Sequence, residues 1–282
     1  MVNGIFYPES CEAITGQLRS WGLKDGSARA VPALACTAKS KLICGEQAIL
    51  APHGAWELTG NIAGKAFGAV QEEERETGQP INRVLLISTY HYSADEGIYL
   101  SESASFETPL GDIQVDLELN KQMASSSNLV KVYDIPHLSE HALEVLLPLV
   151  KFCFPAAKIV PILAAGRGNT LITGLANALK TAAGKNEGKN LFVISSNVSQ
   201  NPDPAIALSM AEKFSILISN MDTRAFMENL ADGSISACGG AIMGALLESE
   251  LLINKHFSSL CPLVKAIGEN GEIVYNGAFY SA

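Results

Sequence analysis

Three residues of this chain, His53, His91 and Cys238, are of the types that bind a borderline or soft transition metal. Two imidazoles and a thiolate suit zinc, iron or copper. Their separations along the sequence are long, so spacing alone says little; their local settings say more. His53 follows the apolar run Gln47-Ala48-Ile49-Leu50-Ala51-Pro52, and His91 closes the run Arg83-Val84-Leu85-Leu86-Ile87-Ser88-Thr89-Tyr90. Both runs read as strands, and in open α/β sheets chemistry collects outside the carboxyl ends of the strands. Cys238-Gly239-Gly240 opens an apolar helix-like stretch. The plainer alternative is that the histidines satisfy backbone groups at strand ends and the cysteine packs as a small hydrophobe. Cys238 also has a nucleophile's setting, because the positive end of a helix lowers a thiol's pKa.

Other chemistry-bearing residues are fewer. Glu140, His141 and Glu144 fall on one stretch, where positions i and i+4 share a helical face and i+1 points elsewhere. His141 could donate a proton or orient another side chain; the alternative is a capping Glu beside a surface His. Ala165-Gly166-Arg167-Gly168-Asn169 has glycines ahead of a helix, as a phosphate-cradling turn does. It lacks the full glycine fingerprint and reads as a plain loop. His137 and His256 sit in no supporting pattern.

The elements that must position these groups alternate. Residues 9–22 read as a helix with Ala13, Ile14, Leu18 and Trp21 on one face, and 26–40 as an irregular connection. A helix from Thr59 to Arg75 follows the first strand; Gly97–Glu102 reads as a further strand, and Asp116 starts a helix to Met123. Ser139 is the expected N-cap of the helix carrying Glu140, His141 and Glu144. Strands Lys158–Leu163 and Leu191–Ser196 alternate with helices Asn169–Ala183, Pro204–Leu217, Asp222–Leu230 and Ala241–Leu252. The strand from Leu191 ends on polar groups, Ser195-Ser196-Asn197. Pro262–Ile267 and Glu272–Tyr280 are expected to close the sheet as a hairpin around Glu269-Asn270-Gly271. The pattern predicts a single-domain α/β sandwich over residues 1–282, built around a largely parallel mixed sheet.

Composition bounds the function. A hydrophobic fraction of 48% and a charged fraction of 17% over 282 residues belong to a folded globular chain with a large core. A net charge of −9 argues against general nucleic-acid binding, which needs a basic footprint. The most apolar stretch, Leu143 to Ala165, is broken by Pro148, Lys151, Pro155, Lys158 and Pro161, which excludes a membrane span there. The start Met1-Val2-Asn3-Gly4-Ile5-Phe6-Tyr7-Pro8 lacks the pattern of a secretory leader, and the six cysteines form no CxxC pair. Free thiols in a reducing cytoplasm are the expectation.

Read together, Gly4-Ile5-Phe6-Tyr7-Pro8, Ala51-Pro52-His53-Gly54, Tyr90-His91, Glu140-His141-Ala142-Leu143-Glu144, Ile194-Ser195-Ser196-Asn197, Cys238-Gly239-Gly240 and Val274-Tyr275-Asn276-Gly277-Ala278 resemble the Memo family in order and over essentially the whole chain. The resemblance implies a fold like that of the class III extradiol dioxygenases, whose non-haem iron is held by two histidines and a carboxylate. In Memo proteins a cysteine replaces that carboxylate, which carries over to His53, His91 and Cys238 as metal ligands. It also implies ferrous iron as the first candidate metal, with copper or zinc as alternatives. A radical-SAM companion protein, as in the AmmeMemoRadiSam system, is the implied partner. The departures bear on chemistry. Where the family usually reads Ser-Ser-Asp-Phe-x-His, this chain has Ser195-Ser196-Asn197-Val198-Ser199-Gln200, and neither amide can take a proton at neutral pH. Gly54-Ala55-Trp56 replaces the usual Ala-Gly-Tyr, and Leu146 a polar residue. Trp56, Glu140, Asn197 and Gln200 are the expected pocket lining, with His141 as the catalytic candidate.

Three functions follow for testing. The first is a metal-dependent redox protein, an oxidoreductase if it is an enzyme, with ordinary extradiol cleavage not expected. The second is a non-catalytic module whose cleft holds a peptide, a small anion, another small molecule or a protein partner. The third is a hydrolase with Cys238 as nucleophile.

Overall fold

A computed structural model describes residues 2–26, 46–93, 95–184, 189–268 and 270–281. The expected irregular connection at 26–40 lies almost wholly outside these residues, as do Cys36, Cys44 and Glu269. Among the described residues Cys11, Cys153, Cys238 and Cys261 are free thiols.

The chain's centre is an eight-stranded sheet. Its strands are β1 (Gln47–Ala51), β2 (Ile81–Thr89), β3 (Gly97–Leu100), β6 (Val130–Val132), β7 (Lys158–Ala165), β8 (Lys189–Ser195), β10 (Phe257–Ser259) and β13 (Phe279–Ser281), while β4 (Ser105–Phe106) and β5 (Ile113–Gln114) pair with each other apart from it. The order is β10-β13-β1-β8-β2-β7-β3-β6. The four middle strands, β1, β8, β2 and β7, run parallel, while β13 and β3 are antiparallel to the strands they flank. This is the mixed, centrally parallel α/β sandwich the alternation predicts.

The middle strands are buried on both faces because their apolar residues come in unbroken runs, with successive side chains pointing to opposite sides. Ala48, Leu50, Leu85, Ile87, Phe192 and Ile194 enter one core; Ile49, Ala51, Val84, Leu86, Leu191 and Val193 enter the other. The first core is covered by α3 (Leu117–Ala124), α7 (Asn169–Ala183), α8 (Pro204–Ser219), α9 (Thr223–Ala231) and α10 (Gly240–Glu248). The second is covered by α1 (Cys11–Ser20), α2 (Asn61–Thr77) and α6 (Leu147–Cys153). Phe67, Phe192, Phe214, Phe226 and Phe279 are wholly buried, each contributing roughly 1.5–3 kcal/mol. Among the described residues no helix is long and apolar enough to cross a membrane.

Three local expectations need correction. Both histidine-ending strands stop two residues early, at Ala51 and Thr89, so His53 and His91 lie on the turns beyond them. Ser139 ends a short helix, α4 (Ile135–Ser139), and the N-cap of α5 (His141–Glu144) is Glu140, whose carboxylate accepts from Ala142 N at 3.1 Å. The hairpin does form between β11 (Val264–Ile267) and β12 (Ile273–Asn276), but it does not close the main sheet. It joins β9 (Ser199–Asn201) in a separate three-stranded sheet, and the last strand, β13, returns to pair with β1. The break at Gly277-Ala278 separates two strands that sequence pattern alone reads as one.

Candidate metal centre

The site stands at the carboxyl ends of β1, β8 and β2, which are neighbours in that order. Ala51 is level with Ser195, and Ser88 is level with Ser195 from the other side. The first residues past the three strand ends therefore converge. The ligating atoms of His53, His91 and Cys238 all lie within 4.8 Å of one another, and Cys238 Sγ is 4.0 Å from His53 Nε2. Two donors on one tetrahedral ion stand about 3.5 Å apart, given bonds of roughly 2.0–2.3 Å. The three side chains thus need move by well under an ångström to share a cation.

Each imidazole has its tautomer set from behind. Ser195 Oγ donates to the Ala142 carbonyl at 2.7 Å, so its lone pair accepts from His53 Nδ1–H at 2.9 Å. The other ring nitrogen, Nε2, is left to face the thiol. His91 Nδ1 donates to Glu140 Oε2 at 3.0 Å, and the same oxygen accepts the His91 backbone N–H at 2.7 Å. Glu140 is wholly buried, and its other oxygen lies 3.5 Å from His141 Nδ1. Such outer partners fix ring orientation and raise ligand basicity at metal sites.

Cys238 is held from three sides. Its thiol accepts from Asn197 N at 3.3 Å and lies 3.3 Å from Ser196 Oγ. Its own N–H donates to Asn197 Oδ1 at 2.8 Å, and its carbonyl accepts from Thr89 Oγ1 at 2.7 Å. Gly239 N donates to Ser196 Oγ at 2.7 Å. A Cβ at Gly239 would stand 2.7 Å from Ser196 Cβ, so only glycine lets the turn approach the strand end this closely.

Burial alone would push the Cys238 thiol up, but the imidazole of His53 and hydrogen bonds from His53, His91 and Ser196 hold it well below its ordinary value. Burial pulls His91 down, and its hydrogen bonds to Cys238 and Glu140 outweigh that, pushing it up to about 10. Glu140 is held below the usual carboxylate value: burial opposes this, and the His91 hydrogen bond and charge prevail. All three shifts favour charge along the line from Cys238 Sγ through His91 to Glu140. A metal cation would take the same lone pairs in exchange for a proton. The donor set and its supports therefore fit a transition-metal ion.

His141 is brought to the same place. Its ring centroid is 5.9 Å from that of His53 and 6.2 Å from that of His91, with Phe6 packed on it at 4.8 Å. Asn197 and Gln200 sit beside Cys238, joined by Asn197 Nδ2 donating to Gln200 Oε1 at 3.1 Å. Trp56 is buried, donates from Nε1 to the Val145 carbonyl at 3.0 Å and packs on Tyr7 and Trp21; Leu146 is fully buried. Behind Glu140 lies a cleft of about 210 Å³ lined by Phe106, Asp134, His137, Leu143, Glu144 and Leu147. The glycine turn before α7 is a plain loop: the Gly168 N–H is taken by Glu96 Oε1 at 3.0 Å. Ser195, Ser196 and Thr89 are the site residues that sequence reasoning missed. The only signal for the serines was a buried strand ending on hydroxyls.

Fold and site define an α/β protein with a two-histidine, one-cysteine cluster at parallel strand ends. The family model described as Memo-like protein matches residues 1–261, and the chain belongs to that family. Among similar proteins, a MEMO1 family protein of Thermotoga neapolitana is 27% identical over 262 residues, spanning 92% of this chain and 91% of the relative. One from Desulfurococcus amylolyticus is 26% identical over 249 residues, 86% of this chain and 83% of the relative. Among solved structures, an Escherichia coli K12 protein at 12% identity and a TM-score of 0.50 covers 83% of this chain and 99% of its own, a likeness of fold alone.

Proposed function

We propose that this protein holds one divalent transition-metal ion on His53 Nε2, His91 Nε2 and Cys238 Sγ and serves a metal-dependent redox role, with ferrous iron as the first candidate and copper or zinc behind it. The observation that carries this reading is the pair of tautomer-setting contacts, Ser195 on His53 and Glu140 on His91, which engage both Nδ1 atoms and leave the Nε2 atoms for the group shared with Cys238 Sγ. A structural histidine pair has no need of that shared aim. When bound, a redox-active ion would supply one-electron chemistry at whatever coordination positions the three side chains leave open. The chain's own residues would then orient the ligands through Ser195 and Glu140, and His141 would hold or release a proton beside the bound substrate.

Ordinary extradiol cleavage is not expected of this site. It needs a group that manages the catechol proton at the end of β8, and the amides of Asn197 and Gln200 there cannot. A cleft-binding role without catalysis is the second reading, favoured by the cleft that Glu140 helps to line, next to the residue that supports His91. The deciding experiment is element-specific metal analysis of protein purified anaerobically. About one iron, copper or zinc per chain in wild type, falling at least tenfold in the His53→Ala, His91→Ala double variant, is the expected result. Equal metal content in the two would end the metal reading.

A further inference from the structure

Asn197 touches Cys238 at both ends of the residue. Its backbone N–H points at Sγ from 3.3 Å, and its side-chain Oδ1 accepts the Cys238 N–H at 2.8 Å. The oxygen assignment is forced, since a backbone N–H can only donate. That leaves Nδ2 on the far side of the amide, where it donates to Gln200 Oε1 at 3.1 Å. Gln200 is itself pinned: its N–H donates to Ser236 Oγ at 3.3 Å, and its carbonyl accepts from that hydroxyl at 2.6 Å. Strand end, cysteine turn and β9 are thereby tied through one amide pair. A carboxylate at 197 could still accept from Cys238 N. It would set its second oxygen against Gln200 Oε1 and add negative charge beside the thiolate. Asn and Gln at these two positions therefore form a matched, charge-neutral pair.

We propose that Asn197, anchored by Gln200, is the positioning residue of the Cys238 ligand: it aims the thiolate at the two imidazoles, so that metal affinity and the metal–thiolate bond depend on a side chain that never meets the metal. The inference rests on the metal reading above, and the test separates the two. Anaerobic protein is titrated with Co(II), following the thiolate-to-cobalt charge-transfer band and the ligand-field bands.

Wild type is expected to bind with both features. Asn197→Ala should bind roughly 10–100-fold more weakly and show a weakened or shifted charge-transfer band, while metal-free protein keeps its circular dichroism spectrum. Asn197→Asp keeps the acceptor for Cys238 N but sets its second oxygen against Gln200 Oε1, so its affinity should fall between those of wild type and Asn197→Ala; an altered charge-transfer band with an unchanged circular dichroism spectrum separates a misaimed sulfur from a merely structural defect. If Asn197→Ala does not fold, Asn197→Ser, whose hydroxyl cannot reach both partners, carries the same comparison. No cobalt uptake by wild type would overturn the metal reading. Uptake by wild type with an unchanged affinity and spectrum in the alanine or serine variant would overturn this inference and leave the metal reading standing.

Discussion

Replacing Glu140 by Gln keeps the size of the side chain and removes one charge, and the structure says what else goes. In the native chain the two carboxylate oxygens accept from the His91 N–H at 2.7 Å, His91 Nδ1 at 3.0 Å and the Ala142 N–H at 3.1 Å, with His141 Nδ1 a further 3.5 Å contact. All of these are donors, and the carboxylate is wholly buried. A Gln offers one oxygen and one NH2, so either the His91 pair or the Ala142 cap must face a donor. Hydrogen bonds to a charged group are worth about 1.5–3 kcal/mol, and an orphaned buried donor costs about 1–3 kcal/mol. Allowing for relaxation, Glu140→Gln should lose about 2–4 kcal/mol of stability at pH 7. The loss should shrink in acid, because the folded carboxyl is held below its unfolded value and its contribution disappears as pH falls through that folded value. Zn(II) affinity should fall about 10–100-fold as His91 loses its orientation. Urea unfolding at pH 7 and pH 4 and zinc titration calorimetry measure both. Stability and affinity both within error of wild type would refute the assignment of Glu140 as the support of His91.

Gly239→Ala should cost about 1–3 kcal/mol and weaken metal binding, since its Cβ would press on Ser196; unchanged binding in a folded variant would contradict the close-approach argument. His137 is pulled down to about 4 by burial, so its contribution is present above the unfolded value near 6.5 and lost as pH falls toward 4. His137→Asn should therefore lose about 3 kcal/mol less than wild type between pH 7 and 4 in urea unfolding. Glu46 runs the other way: burial pushes it up to about 7, so its contribution is present below the unfolded value and lost as pH rises to 7. Glu46→Gln should gain about 1–3 kcal/mol over wild type at pH 8 and little at pH 4. Iron-loaded protein should show no oxygen uptake with simple catechols at neutral pH; robust uptake would point to His141 as the proton acceptor, to be checked with His141→Ala.

What could be read from the sequence was whatever depends on residue type and local period. The central strands announce themselves as unbroken apolar runs because both faces of a central parallel strand are buried, and Asn169–Ala183 is recovered to the residue because its periodicity is regular. The candidate ligand types were visible for the same reason: few residues can bind a soft metal, and the turn after a strand is where a sheet delivers them. The failures share a cause as well. Ser139 looks like a cap because serine caps well in isolation, but a buried Glu140 serves the helix and His91 at once, a preference that only tertiary placement creates. The β12–β13 break likewise depends on which sheet each half can reach. Ser195 shows the limit most clearly. A hydroxyl at a buried strand end is unremarkable in sequence, and it matters here because β1 and β8 are parallel neighbours in a register that sets Ser195 beside Ala51, two residues before His53. Once the register is known, the hydroxyl's bond to Ala142 leaves its lone pair for His53 Nδ1–H and turns Nε2 toward the thiolate. Residue types supply the candidate ligands, and strand register makes them converge.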